Sequence, residues 1–397
     1  MSDGGVAPVP ERAGGRVALV LSGGGARAAY QMGLLRYVGR VLPDFHFDVV
    51  CGTSAGAINA AFLAAHHGTM AEAAAALSQL WRTLSFENVF RVDVPSLGGS
   101  VARWGLRLLS GGSPATPRIK ALLDTAPLRD LLSQVMTTVD DELIGVGENV
   151  RRGRLGALAL TTLNYATGRT VTWVQGDHVK SWERPHRRSV AARLGVDHVM
   201  ASCALPILFP AIRLGNSWYG DGGVRQSAPL APAIHLGADR ILAVSTRYPR
   251  NAQEAAQPAI HGYPPPAQIL GAVLNAIFLD VVEQDALHLA RINHLIERLP
   301  PRDRGALRPV SLRVLQPSQD LGRLASGFER EIPKAFRFLT RGLGTRETTS
   351  PDFLSLLMFH PGYMERLMAM GEADAEAARD ELVDFLQPQR RAASAAS

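Results

Sequence analysis

Apolar positions along this chain change period at its glycines, and each change marks an element. Val17-Ala18-Leu19-Val20-Leu21 is a continuous apolar run that stops at Ser22-Gly23-Gly24-Gly25. A short run bounded by turn residues reads as a buried strand. From Ala26 to Val41 the apolar residues Ala29, Met32, Leu35 and Val38 recur at helical spacing. Phe47-Asp48-Val49-Val50-Cys51 predicts a second strand, which runs into Gly52-Thr53-Ser54-Ala55-Gly56. Ala55 to His67 predicts a second helix closed by Gly68, and Met70–Leu84 a third. Strand, helix, strand, helix in this order implies an α/β fold, with a parallel sheet covered by helices on both faces. Ligands of such sheets sit at the carboxyl ends of the strands, where both glycine loops fall.

Further along, the pattern loosens and then returns. Phe86 to Thr116 is irregular and rich in Gly, Ser and Arg, with an amphipathic piece at Val101–Leu109 that includes Trp104 and Arg107. Trp and Arg on such a piece suit a membrane boundary, so this stretch is expected either as a surface insertion or as a cap beside the site. Leu155–Asn164 and Thr170–Val174 read as strands joined by the turn Ala166-Thr167-Gly168. His198 to Pro210 reads as a short helix running into a loop. Ser217-Trp218-Tyr219 leads into Gly220-Asp221-Gly222-Gly223, and Arg240–Ser245 is another buried strand. The segment after Pro264 is mostly helical, with one strand at Val310–Leu315. The expected organisation is a flexible start over 1–15 and a catalytic domain over 16–248 with a candidate cap insertion at 86–150. A mainly helical C-terminal extension over 249–386 and a disordered tail over 387–397 follow. No internal repeat is evident.

Composition narrows this reading only a little. A chain of 397 residues with 46% hydrophobic and 20% charged residues can bury a substantial core. The net charge of +6 fits a soluble basic protein, and it also suits an anionic surface such as lipid headgroups. Two cysteines, Cys51 and Cys203, make no disulfide framework and read as buried small hydrophobes. A cytoplasmic location, peripheral at a membrane, is the expectation. Met1–Gly15 has neither the basic start nor the apolar stretch of a signal peptide. Val17–Leu21 is far too short to span a bilayer.

The chemistry sits in three places. Ser54 lies in Gly-x-Ser-x-Gly between an apolar strand and an Ala-rich helix, the setting of a nucleophile elbow. The following helix N-terminus favours negative charge developing near it. The bland alternative is a serine in a small-residue turn that packs a helix on a sheet. Gly23, Gly24 and Gly25 offer backbone N–H groups to an anion. A dinucleotide loop is the rival, but Ala28 breaks Gly-x-Gly-x-x-Gly, and no Lys-Ser/Thr follows for a Walker loop. Asp221 stands in Asp-Gly-Gly, a turn signal by itself and a candidate base for Ser54 once a nucleophile is in view.

These three elements, in this order, resemble the patatin-like phospholipase family. The resemblance covers about Val17 to Ser245 and includes Met200–Pro210, which is similar to the family's Ala-Ser-x-Ala-x-Pro-x-x-Phe-Pro segment. It implies a three-layer fold with a central, mostly parallel sheet, here followed by a helical C-terminal region. It implies a lipid acyl hydrolase with Ser54 as nucleophile, Asp221 as general base and the amides of Gly23, Gly24 and Gly25 as oxyanion hole. Arg27 falls where the family keeps a basic residue and is a candidate substrate-binding residue. The implied partner is a phospholipid or another acyl-ester lipid, and no cofactor is called for. Three alternatives stay open. One is a Ser-His-Asp hydrolase drawing on His235, His261, His288, His294 or His360. The others are a lipid transacylase and a non-catalytic lipid-binding or scaffold protein of the same fold. No zinc, calcium or nucleic-acid motif is found.

Overall fold

The first apolar run forms β1 (Val17–Leu21), buried at every position. The computed structural model describes residues 15–91, 99, 121–257, 262–278, 281–334, 336–337, 341 and 352–388. The remaining strands are β2 (Val49–Thr53), β3 (Thr138–Val139), β4 (Glu142–Leu143), β5 (Ala157–Asn164), β6 (Thr170–Gly176), β7 (Glu183–Arg184), β8 (Arg187–Ala191), β9 (Ile212–Leu214), β10 (Ser217–Asp221), β11 (Arg240–Val244) and β12 (Ser311–Leu315). Ten of them make one sheet in the order β12-β11-β1-β2-β5-β6-β8-β7, with β10 on β5 and β9 on β10. From β12 to β5 every pairing is parallel. The far side is mixed, because β5–β6 is a hairpin.

Sheet register decides where the loops meet. Leu163 pairs with Thr170 of β6 and with Gly220 of β10, so these two strands hold opposite edges of β5. The edge away from β6 therefore carries β2 as far as Thr53↔Thr161 and then β10 from Asp221↔Thr162. β2 and β10 run toward one another and end head-on. Ser54 leaves the sheet at this junction, and Asp221 arrives at it.

Successive β1 side chains feed two cores, as strand geometry requires. Leu19 and Leu21 join the larger core with α1 (Ala29–Val41), α2 (Ala55–Ala65) and α3 (Met70–Thr83). Ala18 and Val20 join the smaller one with Leu230, Ala233, Val282 and Leu289. Helices thus cover both faces of a mostly parallel sheet.

Some boundaries shift from those expected. The second strand continues past Cys51 through Gly52 and Thr53, because both still pair with β5. Ala26–Ala28 belong to a single 3-10 turn, Gly25–Ala28, before α1 begins. α2 ends at Ala65, where His66 turns extended; Gly68 instead precedes Thr69, which caps α3 reciprocally with Glu72.

Residues on both sides of position 248 share one core. β12 extends the sheet beside β11, and Tyr363, Met364, Leu367 and Met368 of helix Pro361–Ala377 lie in the same cluster as Tyr30 and Leu34 of α1. Within the expected cap, Phe86–Val89 and Ala126–Val135 are helices. Residues 92–98 and 100–120, Trp104 and Arg107 among them, lie outside the described residues, as do 1–14 and 389–397.

Candidate active site

Ser54 sits between β2 and α2 with φ 56° and ψ −134°, a backbone conformation rare for a residue with a side chain. Such a turn persists only where its surroundings hold it. Here the end of helix Val196–Cys203 does so. Ser202 Oγ accepts the Ser54 N–H at 3.0 Å and donates to the Thr161 carbonyl at 2.7 Å. The Cys203 thiol donates to the Ser54 carbonyl at 3.0 Å. Gly56 allows the turn to close, because a Cβ there would lie 2.6 Å from the Ser22 carbonyl oxygen.

Asp221 is wholly buried at the end of β10. Its N–H donates to the Ala204 carbonyl at 2.9 Å, one residue beyond the helix that holds Ser54. One carboxylate oxygen, Oδ1, accepts the Gly223 N–H at 2.9 Å. The other, Oδ2, is buried with no hydrogen-bond partner among the described residues. Burial pushes the Asp221 pKa up to about 7, against the opposing pull of the Ser54 hydroxyl and the Gly223 amide. Ser54 and Asp221 flank the β2–β10 junction, and no hydrogen bond joins their side chains among the described residues. A half-satisfied carboxylate titrating near neutrality beside a serine is suited to take a proton.

The glycine loop lies against the serine. A Cβ on Gly23 would fall 2.8 Å from the Ser54 Cβ, and Gly24 has φ 145°, open to glycine alone in practice. The Gly23, Gly24 and Gly25 amides donate no hydrogen bond to a described residue. Behind the loop runs a buried chain. Trp81 Nε1 donates to Asn59 Oδ1 (2.7 Å), Asn59 Nδ2 to Gln31 Oε1 (2.8 Å), and Gln31 Nε2 to the Ser22 carbonyl (2.8 Å). Thr246 Oγ1 closes the other side on the Gly23 carbonyl at 2.7 Å. A narrow pocket of about 20 Å³ opens here, lined by Ser22, Gly23, Thr161, Gly223, Gln226 and Ile277.

The model of the patatin-like phospholipase family matches residues 19–234, more than half of the chain and all three loops. The chain belongs to the patatin-like phospholipase family. A cGAMP-activated phospholipase of Pseudomonas aeruginosa is 29% identical over 228 residues, 55% of this chain and 55% of its own. The chain thus spans about half the length of the curated relative it matches. Among solved structures, human GIVD cytosolic phospholipase A2 is similar over 94% of this chain and 60% of its own, with 12% identity and a TM-score of 0.47. VipD from Legionella pneumophila is similar over 92% and 67%, with 13% identity and a TM-score of 0.38.

Within the patatin-like fold Arg27 faces the C-terminal region. Its guanidinium is buried, bonded to Asp352 Oδ1 (2.6 Å) and Ser355 Oγ (2.7 Å). The Asp352 carboxylate also takes the Asn275 amide at 2.6 Å. Arg27 therefore ties the glycine loop to helices Asp352–Leu356 and Pro266–Phe278. The four candidate histidines among the described residues are elsewhere. His235 stacks on Trp182 at 4.8 Å, His360 pairs with Glu331 at 3.0 Å, and His288 and His294 are exposed on helix Val281–Arg298. His261 lies outside the described residues.

Sequence reasoning singled out Ser54, Asp221, the glycines and the segment that contains Ser202 and Cys203, but not the residues that hold the glycine loop. Gln31 and Asn59 carried a usable signal, since each interrupts an otherwise apolar helical face. Asp352 and Ser355, more than 320 positions from Arg27, carried none.

Proposed function

We propose that this chain is a lipid acyl hydrolase working through a Ser54–Asp221 dyad and an acyl-enzyme. The observation that carries the reading is the head-on end of β2 and β10, which sets a strained Ser54 beside a buried, half-satisfied Asp221. Ser54 Oγ attacks the ester carbonyl carbon while Asp221 takes its proton. The tetrahedral oxyanion is held by the amides of Gly23, Gly24 and Gly25, whose hydrogen bonds strengthen as charge develops. Asp221 then returns the proton to the departing alcohol. Water, deprotonated by the same carboxylate, releases the fatty acid. In this reading Arg27 positions the oxyanion loop.

The substrate we infer is a phospholipid, lysophospholipid or related acyl ester, reached by peripheral docking on a lipid surface from the cytoplasmic side. A family whose members are phospholipases supports the substrate class. Two buried free cysteines suit a reducing compartment. Ser54→Ala and Asp221→Asn should each lower ester hydrolysis by about a thousandfold or more, and the double variant no further, because the two act as a unit. A fluorophosphonate probe should label wild type and miss Ser54→Ala. Near-wild-type turnover by a well-folded Ser54→Ala protein would sink the mechanism.

A further inference from the structure

Beside the pocket at Gly23 and Gly223 lies a larger cavity of about 270 Å³. The two share the wall residues Thr161, Gln226 and Pro232 and so are neighbours. Its walls include Trp182 and three basic side chains, His186, Arg187 and Arg225. Arg225 ends the short turn Gly222–Arg225 that starts next to Asp221. Its carbonyl is fixed by the Thr170 hydroxyl at 3.0 Å, and one guanidinium nitrogen meets His186 Nδ1 at 3.3 Å. Arg187 opens β8 on the same side.

Neither arginine has an acidic partner among the described residues. Arg27, Arg36, Arg40, Arg129, Arg169 and Arg308, by contrast, each pair with a carboxylate. The acid that feels Arg187, Asp285, already accepts the Leu230 N–H at 2.9 Å. Two guanidiniums without an ion-pair contact at one cavity concentrate positive charge where a tetrahedral, multidentate oxyanion would meet both.

We propose that this cavity is an anion subsite for a phosphate group, held between Arg187 and Arg225, the latter four positions beyond Asp221. It rests on the hydrolase reading for its role, where the phosphate is that of a phospholipid headgroup. The same chemistry would take the phosphate of a free, soluble phosphate ester.

The test replaces both arginines, Arg187→Gln with Arg225→Gln, and confirms an unchanged melting temperature. Hydrolysis is compared for dispersed diheptanoylphosphatidylcholine, dihexanoylglycerol and p-nitrophenyl butyrate. Charge-assisted hydrogen bonds of the usual strength predict that kcat/KM for the phosphatidylcholine falls about tenfold to a hundredfold. The two phosphate-free esters should stay within about twofold by the same argument, since they make no contact with the arginines. Equal losses on all three substrates, or no loss on any, would overturn the subsite.

A second arm uses Ser54→Ala protein and calorimetry with glycerophosphocholine, inorganic phosphate and a nucleoside monophosphate. Binding of any of these that disappears with the arginines supports the subsite. Preference for glycerophosphocholine points to a headgroup, and preference for the other two to a free phosphate. Binding that survives the double substitution overturns it. If wild type cleaves none of the esters yet binds phosphate through these arginines, the hydrolase reading falls and the anion subsite stands.

Discussion

At the scale of one residue, the proposed chemistry turns on a carboxyl group with no exposed surface. Burial raises Asp221 from an ordinary 3.8 to about 7. As a base it must be ionised, so kcat/KM for a soluble ester should rise about tenfold per pH unit below 7 and level off above it. The same shift has an opposite sign for stability. Between pH 4 and 7 the folded state keeps a proton that the unfolded state has lost, so stability falls as pH rises across that window. Above it the charged form costs up to about 4 kcal/mol. Asp221→Asn should therefore melt higher than wild type at pH 8, with the gap closing toward pH 4. A gap that stays constant across that range would remove the linkage. Ser54 and Asp221 were legible because each stands in a short glycine frame. Ser202 was legible only as part of the segment Met200–Pro210; that it fixes the Ser54 backbone was not, since the two are 148 positions apart.

Elements place these residues, and here the sequence was readable in kind but less so in contact. Apolar runs and glycines located β1, β2, α1 and α2 to within a few residues. The meeting of β2 and β10 on one edge of β5 depends on register, which no local pattern encodes. Arg27 shows the same limit. Its position matches a family habit, yet its hydrogen bonds go to Asp352 and Ser355 on a distant helix. Breaking a buried ion pair from one side typically costs about 3–5 kcal/mol, because the other charge is left stranded. Arg27→Met should lower the melting temperature accordingly. In whatever folded protein remains, kcat should fall equally for phosphate-bearing and phosphate-free esters, as expected for a loosened oxyanion loop. A selective loss on the phosphate-bearing substrate with no change in melting would return Arg27 to direct substrate binding.

At the scale of the whole molecule, the C-terminal region matters because it borders the site. The stretch Pro266–Arg298 is long and apolar enough to cross a membrane by length and composition. In its second helix, Val281–Arg298, Val282 and Leu289 are nevertheless buried in the smaller core beside the sheet. Helix Pro266–Phe278 carries no charged residue. Its Ile277 lines the pocket at Gly23 and Gly223, while Ile269 is 48% and Val273 47% exposed, and Tyr263 just before it is 90% exposed. A lipid surface touching that outer face would sit over the pocket, with an aromatic residue at the boundary depth such residues favour. Ile269→Asp with Val273→Asp should then weaken vesicle binding and lower vesicle hydrolysis on the order of tenfold, the scale set by burying two half-exposed aliphatic side chains. Hydrolysis of a dispersed ester should hold steady, because it needs no docking. The net charge of +6 adds a preference for anionic over zwitterionic vesicles that salt should weaken, whereas the apolar part should persist in salt. Equal vesicle hydrolysis by wild type and the double variant would exclude this face as the docking surface and leave the Ser54–Asp221 assignment untouched.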